Sequence, residues 1–291
     1  MYFETWRGWS GGIGVATMPA NDKNVALFII AQLQEGKSCH VIQSIVAAIK
    51  WNMQILGFED TLGSLTKNMV ECSKRIAKPV RTPKEPITGD ILREMFDIIG
   101  RREANLLNLR KFTILLLSFA GFLRFDEVSK LRLDDIQFYR THMSLFLEGS
   151  KTDIYREGHT VVISRVPASC CPVDTLARFL ELGKIAKGDT FLFRAVTRLK
   201  GGRYKFRSPN VPLSYTTCRT GALELVAKVG LDPKVFGLHS ARSGGATAAA
   251  NRGVPDRLFK RHGRWVSEKA KDCYIKDNLC QLLLVSQNLG L

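Results

Sequence analysis

Tyr274, in Asp272-Cys273-Tyr274-Ile275, offers a phenol that becomes a nucleophile once its proton is removed, which at an ordinary pKa of ~10 needs help. His239 and Arg242 lie three residues apart in Leu238-His239-Ser240-Ala241-Arg242-Ser243-Gly244-Gly245. Arg124 directly follows a long apolar stretch, in Gly121-Phe122-Leu123-Arg124-Phe125-Asp126-Glu127-Val128, and Lys151 sits in Glu148-Gly149-Ser150-Lys151-Thr152-Asp153. Trp265 closes His262-Gly263-Arg264-Trp265, nine residues before Tyr274. Guanidiniums keep their charge and present paired donors that match phosphate oxygens. An amine or an imidazole can move protons, and an indole can only donate one. Each residue also has a plain structural explanation. Arg124 can pair with Glu127 at i+3, Lys151 can be a solvated turn residue, His239 and Arg242 can be a surface pair, and Trp265 and Tyr274 can be core packing. Taken singly, none specifies a site.

Other chemistries find less support. The histidines at 40, 142, 159, 239 and 262 form no H-E-x-x-H pattern. The seven cysteines include no C-x-x-C, are odd in number and place Cys170 beside Cys171, so neither a zinc site nor a disulfide framework is expected. They read as reduced thiols of an intracellular protein. WSGGIGVAT around Gly12 and Gly14 half-resembles a dinucleotide loop, but no strand precedes it and Thr17 stands where the third glycine belongs. There is no P-loop and no evident carboxylate metal site, so no cofactor and no metal are expected.

The elements that must position these residues follow from periodicity. The 291 residues are 45% hydrophobic and 24% charged, a globular composition. The longest apolar run, Phe112 to Leu123, is too short to span a bilayer, and the N-terminus lacks a secretion signal. Three prolines fall within Pro79-Val80-Arg81-Thr82-Pro83-Lys84-Glu85-Pro86, so residues 79–87 are expected to be an extended tether between a helical domain, 1–78, and a larger domain, 88–291. In the first, helices are expected over 22–34, 38–57 and 62–77. Trp6 and Trp9 lie in a stub too short for a full helix, as though a first helix were missing. In the second, helices are expected over 89–100 and 105–122, then short strands over 134–138, 143–147 and 160–164. Helices follow over 172–183, 214–229, 240–252, 256–262, 267–277 and 279–288. The fold class is thus mainly α with a small three-stranded antiparallel sheet.

Lys and Arg exceed Asp and Glu by 43 to 27, a net charge of +16, which favours a polyanionic partner. Residues 190–223 contain no acidic residue, and Arg194, Arg198, Lys200, Arg203, Lys205 and Arg207, interleaved with Tyr204 and Phe206, are the candidate phosphate-backbone contacts of a loop.

Together, in this order and spacing, the polar residues resemble the tyrosine recombinases, the phage-integrase family, over nearly the whole chain. Arg124 with Glu127, Lys151 in a hairpin turn of a three-stranded sheet, His239-x-x-Arg242, and Trp265 nine residues before Tyr274 match the family pattern. The wording HSARSGGATAAANRGVPDRLFKRHGRW looks most like recombinases of DIRS-type and related eukaryotic mobile elements. The resemblance implies a helical core-binding domain, a catalytic domain and double-stranded DNA as partner. It implies strand exchange through a 3′-phosphotyrosyl intermediate without metal or ATP. Tyr274 would be the nucleophile, Arg124 and Arg242 would bind the nonbridging oxygens, Lys151 would protonate the leaving 5′ oxygen, and His239 would exchange the tyrosine proton. Trp265 would hold a nonbridging oxygen and Glu127 would orient its neighbours. The family precedent also implies a tetramer on two DNA sites, with the amphipathic end, Asn278 to Leu291, docked on a neighbouring subunit, and an intracellular location, nuclear in a eukaryotic host. Two departures stand out: Trp265 where histidine is more frequent, and Ser243-Gly244-Gly245 where a bulkier run is usual. Type IB topoisomerase-like activity, a domesticated DNA-binding protein that no longer cleaves, and an RNA-binding protein remain alternatives.

Overall fold

Serine, threonine and asparagine side chains start most of the helices. In this computed structural model Asn21, Ser38, Thr88, Asn105, Ser214, Ser267 and Asn278 each accept a hydrogen bond from a backbone N–H of the first helical turn. The structure describes residues 2–76, 83–102, 105–149, 157–186, 188, 191–207 and 210–290, with the side chains of 100–102 excepted. The chain forms two compact units, Met1–Thr82 and Pro83–Leu291.

The first unit contains α1 (Tyr2–Gly12), α2 (Asp22–Gln34), α3 (Cys39–Ile55) and α4 (Ser64–Ile76). Its core gathers Trp6, Phe28, Ile29, Ile45, Ile49 and Met53. Residues 2–12, expected to be a stub too short for a full helix, are a helix of three turns. Periodicity alone undervalued this stretch because what fixes it is tertiary: Trp6 is fully buried, lies 5.7 Å from Trp9 and 5.4 Å from Phe28, and donates its Nε1–H to Thr17 O at 3.0 Å. Asp22, in the first turn of α2, accepts from Thr66 N (3.0 Å) and Leu65 N (3.2 Å), and so ties α4 to α2.

In the second unit α5 (Gly89–Met95) runs into a π-helical segment, Phe96–Arg102, where a plain α-helix over 89–100 was expected. The buried spine is α6 (Leu106–Ala120), with Leu109, Phe112, Leu115 and Leu117 at the centre of the core. It ends two residues earlier than the apolar pattern suggests, because Gly121 caps it and Phe122 takes a left-handed φ of 47°. That turn sends the chain into the short helix α7 (Phe125–Ser129). The expected three-stranded antiparallel sheet is present as β1 (Ile136–Phe138), β2 (His142–Leu147) and β3 (His159–Ser164), in the order β1-β2-β3. Its register pairs Ile136 with Leu145, Met143 with Ile163, and Leu145 with Val161, so alternate residues turn apolar side chains into the core.

Beyond the sheet lie α8 (Pro172–Leu182), the hairpin β4 (Val196–Arg198) and β5 (Tyr204–Phe206), then α9 (Tyr215–Lys228) and α10 (His239–Asn251). The last helices are α11 (Asp256–Gly263), α12 (Glu268–Asp272) and α13 (Leu279–Gln287). The β4–β5 hairpin replaces what the sequence suggested was a loop. Helix α12 is half the length expected for 267–277, and the chain turns at Cys273 and Tyr274. Of the expected tether, residues 79–82 lie outside the described residues. From Pro83 onward the chain is extended and joins α10's approach, with Glu85 N donating to Val235 O (2.7 Å) and Ile87 N to Ser240 O (2.9 Å).

That contact explains the Ser-Gly-Gly run after Arg242. A Cβ on Gly244 would overlap the carbonyl oxygen of Ile87 and sit 2.7 Å from its carbon, and a Cβ on Gly245 would overlap the carbonyl oxygen of Phe119. Only glycine lets α10 lie against the backbone of both segments. All seven cysteines are free. Among the described residues no helix is long and apolar enough to cross a membrane.

Candidate active site

Glu127 is the hub. Its side chain is 2% exposed in the first turn of α7, where Arg124 takes the N-cap position. Arg124 donates its backbone N–H to Glu127 Oε2 (2.7 Å) and a guanidinium N–H to Oε1 (2.8 Å). The i+3 pairing that is the ordinary explanation of Arg124 therefore exists, and it lies inside the site. Burial alone would raise the Glu127 pKa. The charge of Arg264, the Arg124 N–H, and the charges of Arg124 and Arg242 outweigh it and hold the carboxyl below its ordinary value.

Arg242, one turn into α10, is fully buried. It donates to Phe122 O and, at 2.8 Å, to Gly263 O, and its Nη1 stands 4.0 Å from Glu127 Oε2. Burial, then the like charge of Arg124, bring its pKa down to about 10, so it stays a cation near neutral pH. Its guanidinium carbon is 4.9 Å from the centre of the Trp265 ring and 4.8 Å from that of Tyr274, so one cation faces both aromatics. Trp265 is buried against Phe259 (5.0 Å, 28°) and Phe122 (5.9 Å). The core-packing explanation of Trp265 is thus also real, but it leaves the indole N–H without a partner among the described residues, and the same holds for Arg242 Nε.

Tyr274 is half-buried and is held by its backbone. Its carbonyl accepts from Ser243 Oγ (2.8 Å) and Thr247 Oγ1 (3.2 Å), and its N–H donates to Lys271 O (3.0 Å). Lys271 pairs with Glu268 (2.6 Å) and with Asp256, which fastens α12 to α11. His239 opens α10 at the rim of a cleft of about 690 Å³ whose walls include Arg124, Glu127, Tyr215 and Glu148. Desolvation in the cleft, then the charges of Arg242 and Arg124, lower its pKa, so the imidazole is neutral near pH 7 and able to accept a proton. Lys151 lies outside the described residues, between β2, which ends at Leu147, and β3, which begins at His159.

The structure thus brings Arg124, Glu127, Arg242, Trp265 and Tyr274 together, with His239 at the mouth. One member was missed. The Arg264 side chain is 5% exposed and donates to Gly121 O (3.2 Å), His262 O (2.8 Å), Phe122 O (2.9 Å) and Glu127 Oε2 (2.7 Å). In sequence it is one basic residue in a basic stretch, and nothing there distinguishes it from exposed Arg261. Three guanidiniums around one carboxylate leave an excess of positive charge, and with the orphaned donors of Arg242 and Trp265 they make a pocket suited to an anion. Among the described residues no three metal-ligating side chains gather.

Of the basic loop, Arg198, Lys200, Arg203, Lys205 and Arg207 are exposed on or beside the β4–β5 hairpin. Arg194 turns inward. Its guanidinium lies 4.5 Å from the centre of the Phe206 ring, and burial lowers its pKa.

The sequence model of the phage integrase family matches residues 87–279. The chain is similar to an integrase/recombinase xerD homolog of Selenomonas ruminantium, 28% identical over 273 residues that cover 92% of this chain and 77% of that protein. Its fold is similar to that of the XerH site-specific recombinase bound to palindromic difH substrate in a post-cleavage complex. The TM-score is 0.62 at 13% identity, covering 94% of this chain and 73% of that one. It is likewise similar to a lambda integrase dimer bound to a COC′ core site, with a TM-score of 0.59 at 17% identity, covering 96% and 88%. With two thirds of its length under the family pattern and its buried arginine cluster beside Tyr274, the chain belongs to the phage integrase family, the tyrosine recombinases.

Proposed function

We propose that the protein is a site-specific DNA recombinase that breaks and rejoins strands through a 3′-phosphotyrosyl intermediate. The observation that carries this reading is the pair of buried, unpartnered donors, Arg242 Nε and Trp265 Nε1, beside the Tyr274 ring. Burying such groups without a partner is unfavourable, and a phosphate whose nonbridging oxygens enter between them would satisfy both. Arg124, with a guanidinium only partly used by Glu127, would complete the clamp. Tyr274 Oη then attacks phosphorus, the bond to the 5′ oxygen breaks, and that oxygen takes a proton from Lys151. The phenolic proton passes to neutral His239. The phosphodiester energy is retained in the tyrosyl linkage, so a second 5′-hydroxyl can reverse the step on a new strand without ATP. Trp265 contributes an N–H only, and Glu127 orients the arginines.

Double-stranded DNA as the partner is supported by the net charge of +16 and by the five exposed basic residues around the hairpin. Residues 1–78 would serve as a core-binding domain, 79–87 as the tether and 88–291 as the catalytic domain. A tetramer joined through the C-terminal helix is supported by α13, which has no buried residue and leaves Leu279, Leu282, Leu283, Leu284 and Val285 exposed. The mobile-element origin of DIRS type and a nuclear location belong to the same reading and rest on the wording of residues 239–265.

The test is covalent trapping. Nicked duplexes carrying candidate element ends, incubated with the protein in excess EDTA, should give a complex that survives denaturing electrophoresis. Tyr274→Phe should abolish it while leaving duplex binding nearly intact, because only a hydroxyl is lost. Trapping by the Phe variant at the wild-type yield would move the nucleophile elsewhere.

A further inference from the structure

We propose that Arg264 is a positioning residue that occupies Glu127 and so keeps Arg242 available to an incoming phosphate. The inference rests on the phosphate-site reading above. Arg264 ends α11 with φ 56° and ψ 41°, a left-handed conformation that glycine adopts freely and arginine does not. Its side chain is 5% exposed, and four acceptors surround the guanidinium: the carbonyls of Gly121, Phe122 and His262, and Glu127 Oε2. A residue placed against its conformational preference, with its charge buried, is held there by what the charge does.

What it does follows from Glu127 Oε2. That oxygen accepts from Arg124 N at 2.7 Å and Arg264 Nη2 at 2.7 Å, which fills both of its lone-pair directions. Arg242 Nη1 waits at 4.0 Å and shares the Phe122 carbonyl with Arg264. Without Arg264, Glu127 Oε2 keeps only the Arg124 N–H, and Arg242 is the nearest cation not already bonded to the carboxylate, since the Arg124 guanidinium is taken up by Oε1. Closing that gap to hydrogen-bonding distance takes about 1 Å and would commit an Arg242 N–H to the carboxylate instead of to an incoming phosphate. Arg264 therefore saturates the carboxylate that would otherwise capture Arg242. The basic residue preceding Trp265 thereby acquires a task distinct from DNA contact.

The test uses the full chain and orthovanadate, an oxyanion that adopts the five-coordinate geometry of phosphoryl transfer, followed by ⁵¹V NMR line broadening. Arg242→Ala defines the signal from the site. Arg264→Gly, which fits the left-handed backbone, should weaken vanadate binding roughly 10- to 100-fold, the scale of one lost charge-assisted interaction. Arg264→Lys should recover part of that loss. Adding Glu127→Gln to Arg264→Gly should restore binding to within roughly 3-fold of Glu127→Gln alone, because the competitor for Arg242 is gone; a merely structural role for Arg264 gives losses that add. Urea unfolding of each variant confirms a folded state, and should Arg264→Gly fail to fold, Arg264→Lys with and without Glu127→Gln makes the same comparison. Wild-type affinity in Arg264→Gly, or simple additivity with Glu127→Gln, overturns the proposal. Absence of any Arg242-dependent binding in the wild type overturns the phosphate-site reading itself.

Discussion

Gly244→Ala adds one methyl group at the place where α10 lies against the extended backbone at Ile87. The new Cβ would overlap Ile87 O, lie 2.7 Å from Ile87 C and 3.1 Å from Ile87 N. All three are backbone atoms, so no side chain can rotate out of the way. Restoring ordinary contact requires α10 and residues 85–87 to part by roughly 1.5 Å. Such overpacking costs about 1–3 kcal/mol, and the bond from Ile87 N to Ser240 O, 2.9 Å long, adds about 1 kcal/mol if it breaks. A total near 2–4 kcal/mol corresponds to a fall in Tm of roughly 4–16 °C for a unit of this size. Because Arg242 is only two residues away on the same helix, the displacement also misplaces the guanidinium, and a shift of that size costs about 10²-fold in rate. Urea unfolding measures the first effect and covalent trapping on nicked DNA the second, with duplex binding as the control expected to change little. Gly11→Ala, in α1 with nothing within 4 Å of the new Cβ, should be neutral or slightly stabilising. If Gly244→Ala unfolds within about 0.5 kcal/mol of the wild type and traps DNA normally, the close approach is not what requires glycine there.

Lys151→Ala should slow cleavage of ordinary DNA by about 10²–10⁴-fold, as expected for a general acid. A substrate with sulfur at the bridging 5′ position should cancel that loss, since a thiolate leaves without a proton. Arg124 and Arg242 variants should gain little from the same sulfur, and rescue of the arginines instead of Lys151 would reverse the roles. The acid limb of cleavage should lie below pH 6.5, the ordinary histidine value, because the cleft lowers the His239 pKa and keeps it neutral further into acid. His239→Gln should erase that limb, and a limb above pH 6.5 in the wild type would contradict it.

How far the sequence prescribes this architecture varies with the range of the contacts involved. Strands β1 to β3 follow from alternation because one face of each is buried, a local signal. Tyr274, Trp265, Arg242, His239 and Arg124 stood out by residue type and spacing; Arg124 meets Glu127 within one helical turn, whereas Trp265 and Tyr274 meet Arg242, and Arg242 approaches Glu127, only once distant helices have packed. Arg264 could not be read, because its function depends on carbonyls of residues 121, 122 and 262 converging on a position whose backbone favours glycine. Gly244 and Gly245 could be noticed but not explained without knowing which backbones α10 touches. The extent of α1 depends on Trp6 finding Thr17 and Phe28, and the early turn at Phe122 on a left-handed residue that periodicity cannot signal.

The attachment of Tyr274 by its main chain has a mechanical result. Ser243 and Thr247 grip its carbonyl from α10, the helix that carries Arg242, while Thr247 Oγ1 also accepts from Lys276 N at 3.1 Å. Lys276 in turn reaches Glu85 at 2.8 Å. The phenol is left unencumbered by these bonds, so converting it to an ester does not break the anchorage. Strain on the chain downstream meets this mooring first. A pull on the leucine-rich end would therefore load these bonds to α10 before it reached the phenol, as a rope made fast to a cleat takes strain at the cleat.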